Sequence, residues 1–85
     1  MSKIIEMTGS PKSAGFSTKE IFLDSLSEYG YAHGKMSKKN NKVDILVTND
    51  PSSTTNKMDL AKELGVEIMT YMDLKDAFDL EGDLD

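Results

Sequence analysis

The stretch from Val43 to Met69 constrains the fold more than any other. It reads VDILVTND, then PSSTTNKMDLAKELG, then VEIM. Val43, Ile45, Leu46 and Val47 form a nearly unbroken apolar run rich in β-branched residues, as in a strand covered on both faces, and Asn49-Asp50-Pro51 ends it with turn chemistry. Met58, Ala61 and Leu64, widened by Leu60, then recur at helical spacing. Gly65 stands where a left-handed residue closes a helix, with Val66 placed to pack against Ala61. A strand, a helical crossover and a parallel strand need roughly 30 residues, so a parallel sheet is the default reading. The rest of the chain must cover that sheet.

Upstream, Lys3 to Met7 reads as a first strand, broken at once by Thr8-Gly9-Ser10-Pro11. Lys12 to Gly15 reads as a loop. Ser17 with Glu20 forms a capping-box pattern, with Phe16 and Ile21 as its hydrophobic staple; capping by Thr18 would move the start by one residue. The first helix is expected from Thr18 to Tyr29, burying Phe22, Leu26 and Tyr29 and stopping at Gly30. Tyr31 to Met36 is the second strand, Val43 to Thr48 the third and Glu67 to Met69 the fourth, with a helix over Asn56 to Leu64 between the last two. Thr70, with Asp73 three residues on, caps a last helix whose Tyr71, Leu74, Ala77 and Phe78 share a face.

The order β-α-β-β-α-β-α defines an α/β fold with a four-stranded parallel sheet flanked by three helices, the first and last sharing one face. Residues 1–78 form this domain. Residues 79–85 show no packing pattern and are expected to be a disordered acidic tail.

Composition narrows the function classes. The 85 residues include no cysteine, which excludes disulfides, thiolate metal sites and cysteine nucleophiles, and nothing resembles a membrane span or secretion signal, so the economical reading is cytoplasmic. The net charge of −5 is uneven: Asp79, Glu81, Asp83 and Asp85 meet no base at one end, whereas Lys35, Lys38, Lys39 and Lys42 form a loop without an acid. All ten basic residues are lysines, so bidentate guanidinium recognition of phosphate or guanine is absent. The lysine loop is a weak candidate for a nucleic-acid backbone, with a solvated loop as the favoured alternative. His33 lacks metal-ligand neighbours and reads as a surface or structural residue, and Met36, Met58, Met69 and Met72 read as gap-fillers. No nucleophile–base pair, ligase adenylation motif or glycine-rich dinucleotide loop is present, so neither catalysis nor a cofactor or metal is expected.

The chain resembles the BRCT family, most closely the BRCT domain that ends bacterial NAD-dependent DNA ligases. The pieces carrying the resemblance are Met7-Thr8-Gly9, Phe16-Ser17, Gly30, Gly34 with Ser37-Lys38-Lys39, Val43 to Val47, Asp50-Pro51, and Asn56-Lys57 running to Val66. The resemblance implies a non-catalytic binding module of DNA replication, repair or ligation. Its partners would be DNA with a phosphorylated end or nick, a phosphopeptide, or a replication or repair protein. It further implies that Thr8, Gly9 and Lys57 hold a phosphate, with Ser10 as a further donor. That chemistry is sound in itself, because a glycine amide, a helix N-terminus and an ammonium all favour an anion. The alternatives are that Thr8-Gly9 is only a turn and Lys57 a solvated residue, and that the module is a structural adaptor or dimerisation domain without phosphate binding.

Val47→Asp should abolish folding. An unpaired carboxylate in a strand covered on both faces costs several kcal/mol, against a total of about 5 kcal/mol for a domain this small. A cooperative melt unchanged by that substitution would refute the parallel sheet.

Overall fold

The computed structural model describes residues 3–50, 52 and 56–84. Pro51, part of the expected strand-ending turn, lies outside them, as do residues 1–2 of the expected domain and Asp85 of the expected tail. The elements are β1 (Lys3–Met7), a 3₁₀ turn (Pro11–Ala14), α1 (Lys19–Ser27), β2 (Tyr31–His33), β3 (Ile45–Thr48), α2 (Asn56–Leu64), β4 (Glu67–Thr70) and α3 (Tyr71–Phe78). The strands form one sheet in the order β2-β1-β3-β4, every pair parallel. From the central β1–β3 pair the two crossovers run in opposite directions. Connections of one hand therefore place α1 and α2 on opposite faces.

Strand alternation feeds the two resulting cores. Ile5, Met7, Ile45 and Val47 point into the larger one, where Phe22 and Leu26 of α1 meet Tyr71 and Leu74 of α3. Phe16, Phe22 and Tyr71 stack edge-to-face there, with centroids 5.0 and 4.9 Å apart. Leu46 and Val43 point the other way, against Met58, Ala61 and Val66. All four residues of β3 are buried, as the apolar run requires. Val66 donates its amide to Ala61 at 2.8 Å beyond Gly65, whose φ of 74° makes the left-handed stop. Thr70 and Asp73 exchange both bonds of a capping box, at 2.9 and 3.1 Å.

Several boundaries differ from the sequence reading. Thr18, not Ser17, caps α1, its hydroxyl accepting from the Ile21 amide at 3.2 Å. Ser17 is occupied elsewhere; Phe16 stacks on Phe22 at the helix start, and Ile21 packs against the same cluster. The helix ends at Ser27, so Tyr29 falls off the buried stripe and lies half-exposed against Phe78. Met72 is likewise exposed on α3, and so is Ala77. β2 stops at His33: Gly34 still donates to the Ile5 carbonyl at 2.9 Å, but the following inward amide, Met36, bonds to the Glu6 side chain instead of a backbone carbonyl. β3 begins at Ile45, since Val43 is held by the Asn41 side chain. The Pro11–Ala14 turn, read as loop, is capped by Ser10.

The acidic segment is the largest correction. Asp79 adopts φ 53°, which reverses the chain after α3 and buries Leu80, 8% exposed, in the larger core. Asp83 accepts from the Ser17 amide at 2.8 Å and from the Ser17 hydroxyl, and Leu84 donates to the Gly15 carbonyl at 2.9 Å. Gly82 lies so close to Gly15 that any side chain there would strike its carbonyl. The spacing gave no helical or strand period because the segment packs as irregular chain through one leucine and a latch.

Leu80→Ala should cost about 2–3 kcal/mol through the cavity it leaves, a Tm loss on the order of 10 °C by thermal melt. Asp83→Asn should cost less. The Ser17 hydroxyl and amide hold the Asp83 carboxyl below the usual carboxylate range. The latch therefore contributes above the ordinary carboxyl pKa and is lost as pH falls through the lowered one. A Leu80→Ala melt matching wild type would show the segment undocked in solution.

Candidate functional site

The topology itself marks a site. β1 leads to β2 on one side and β3 leads to β4 on the other, so the chain diverges at the C-terminal ends of β1 and β3. In open parallel sheets ligands bind in the crevice at such a switch point. Thr8-Gly9-Ser10 continues β1 there, and Asn49-Asp50 continues β3.

Thr8 extends the ladder by one bond, its amide donating to Val47 at 2.8 Å. Gly9 then turns with φ 79°, and a side chain at this position would collide with the Asn49 carboxamide. The crevice mouth is thus closed to a glycine and an asparagine in contact. From the opposite face the Tyr71 hydroxyl donates to the Thr8 and Gly9 carbonyls, at 3.1 and 3.3 Å. Burial pushes that phenol up to about 12, so it remains a neutral donor across the physiological range. With the carbonyls held by Tyr71, the Thr8 hydroxyl and Gly9 amide have no hydrogen-bond partner among the described residues. The Ser10 hydroxyl accepts from the Lys12 amide at 3.3 Å, which makes it the cap of the 3₁₀ turn.

Lys57 stands at the start of α2, with its ammonium 3.5 Å from Glu6. Glu6 lies on β1, two residues before Thr8, and alternation turns it toward the α2 face. Its side chain is 8% exposed, and its second oxygen accepts from the Met36 amide at 3.0 Å. A buried carboxylate needs a counter-charge and hydrogen bonds, and these two groups supply them. Lys57, 47% exposed along its side chain, is therefore not a simple solvated lysine. Across the crevice mouth Asp50 is held below the usual carboxylate range by the Ser52 hydroxyl and amide and stays ionised. Two carboxylates and one paired ammonium give the region no excess positive charge.

The lysine loop divides. Lys38 reaches Glu63 of α2 at 3.9 Å with both side chains exposed, a weak surface pair. Beneath it lies an open cleft of about 340 Å³ lined by Lys38, Asn56, Asp59, Leu60 and Glu63, in which two acids face one base. Lys35, Lys39 and Lys42 are exposed, with no carboxylate within ion-pair distance among the described residues. His33 is exposed on β2.

Glu6, Asn49 and Tyr71 were missed as site residues by sequence reasoning. Glu6 carried a signal: an acid at an alternating position of an otherwise apolar strand has to find a cation. Asn49 and Tyr71 carried none, since their roles depend on how β3 and α3 approach Gly9. Comparison of the chain with family models, curated proteins and solved structures found no match.

A double-mutant cycle tests the buried pair. Lys57→Met leaves the Glu6 carboxylate without its counter-ion and should cost about 1 kcal/mol, discounted from the value for a fully buried pair because Lys57 is half-exposed. In the Glu6→Gln background, denaturant melts should show most of that cost gone. Equal costs in both backgrounds would mean the two groups are uncoupled.

Proposed function

We propose that this domain is a non-catalytic, BRCT-like binding module of DNA replication, repair or ligation that docks a protein partner rather than a phosphate. The observation that carries this reading is the engagement of Lys57 with buried Glu6. A phosphate cradle requires that ammonium as its charge, and drawing it away would strand a carboxylate beneath the incoming anion. Ionised Asp50 adds further repulsion at the mouth.

The second reading, a DNA 5′-phosphate or phosphopeptide as ligand, is favoured by a different observation. The Thr8 hydroxyl and Gly9 amide have no hydrogen-bond partner among the described residues, and they follow β1 at the switch point. In that reading the resemblance implies Lys57 on the phosphate, and the charge of the lysine loop implies Lys35, Lys38, Lys39 and Lys42 along a nucleic-acid backbone.

Titration with 5′-phosphorylated and unphosphorylated nicked duplexes, followed by amide shifts, separates the two. The docking reading expects no preference for the phosphorylated duplex and no local shift at Gly9. A preference of about tenfold or more, abolished by Lys57→Met, would overturn it, since a charge-assisted bond is worth ~1.5–3 kcal/mol.

A further inference from the structure

β2 is the outer strand on one side of the sheet, and its free edge is continuous with an exposed aromatic surface. In a parallel ladder successive residues turn their N–H and C=O groups to alternate sides. Lys3 donates to Gly30 and Gly34 donates to Ile5, both at 2.9 Å, so Ala32 and Gly34 face β1. Tyr31 and His33 accordingly turn their backbone groups outward, two edge positions with no backbone partner among the described residues, and Lys35 follows just past the strand end. The opposite edge offers less: on β4, Glu67 faces β3, and the outward Thr70 amide is consumed by Asp73 at 3.1 Å, leaving Ile68.

Beside the free edge, Tyr29 is 50% exposed and lies 4.7 Å from Phe78, which meets Tyr31 at 5.6 Å, between ring centroids. The Tyr29 hydroxyl is tied down to the Phe78 carbonyl at 3.3 Å, so the surface is held in place rather than loosely draped. Charge is graded along the strand. Glu28, Asp79 and Lys3 sit at its aromatic end, whereas Lys35 and Lys39 follow its other end without ion-pair partners among the described residues.

We propose that β2 is a docking edge for an extended peptide of the partner protein, which adds as a fifth strand, sets an aromatic or β-branched side chain on Tyr29, Tyr31 and Phe78, and places acidic residues beside Lys35 and Lys39. Main-chain bonds to Tyr31 and His33 give the attachment, and the charge gradient gives the direction. Antiparallel pairing, the stronger kind per residue, puts the acids first and the aromatic last. Acids at the aromatic end would meet Glu28 and Asp79. The inference rests on the docking reading, but the two fail separately: a 5′-phosphate preference overturns that reading, and the peptide results below overturn this one.

The test uses the full chain with the peptide acetyl-Asp-Glu-Asp-Val-Tyr-Val-Phe-Val-Thr-amide. Saturable amide shifts should centre on Tyr31 and His33, with their hydrogen exchange slowed about tenfold or more at saturation. Lys35→Glu, at an exposed position outside any strand or helix, should weaken binding about fivefold or more. The same peptide N-methylated at alternate residues along its pairing edge should not bind, which tests the ladder without altering the protein. The proposal is overturned by absence of binding at about 1 mM, by shifts centred on the Gly9 crevice or β4, or by equal binding of the N-methylated peptide. It is also overturned if sedimentation without peptide shows a dimer with the same amides protected, because the occupant would then be a second copy of this chain.

Discussion

The pairing of β1 with β3 is the contact on which the other elements depend. Ile5, Glu6 and Met7 lie in register with Ile45, Leu46 and Val47, and these two strands are buried on both faces where they meet. Because both are central, α1 with α3 and α2 cannot exchange contacts and each must find its own core against the sheet. The same pairing makes the crevice, since the chain leaves β1 and β3 toward opposite faces. Fold and candidate site are thus one consequence of a single strand pair.

That pair also explains the charge arrangement. Glu6 is the cost of running an acid through the centre of a sheet: it is inward, 8% exposed, and has to recruit Met36 from the long loop and Lys57 from α2. The recruitment organises the α2 face, because the loop from Gly34 to Asp44 has no regular structure of its own. It is held by side-chain bonds such as Asp44 to the Ile4 amide at 2.9 Å. Lys57, which the resemblance implied would meet an outside anion, stands 3.5 Å from an inside carboxylate. The physics invoked was the same in both cases.

What was legible in the sequence was whatever depended on local periodicity and punctuation. β1 and α2 fall at their expected bounds, the Gly65 stop and Thr70–Asp73 cap form as read, and the parallel sheet follows from the crossover lengths. Features decided by distant partners were not legible. Ser17 read as the cap, with Thr18 as the alternative, and it is Asp83, 66 residues away, that engages Ser17 and leaves the cap to Thr18. Tyr29 continues the helical stripe on paper, but the helix ends two residues earlier. For the site, turn chemistry marked Thr8-Gly9 only as the end of β1 and the resemblance alone implied a phosphate role, whereas the Lys57 partner depended on a strand far from it in the chain.

The closing latch bears on the order in which this domain can assemble. Ser17 meets Asp83 across 66 residues, and Leu84 bonds to Gly15 beside it. Contacts so distant along the chain carry a large loop-closure entropy and form after the local ones. During synthesis α1 would emerge with its approach still open, and the seam at Gly15–Ser17 would close only after residues 80–84 had followed it. Leu80 and the Asp83 latch therefore complete the wall of the larger core, and until they dock Phe16 and its neighbours are left facing water.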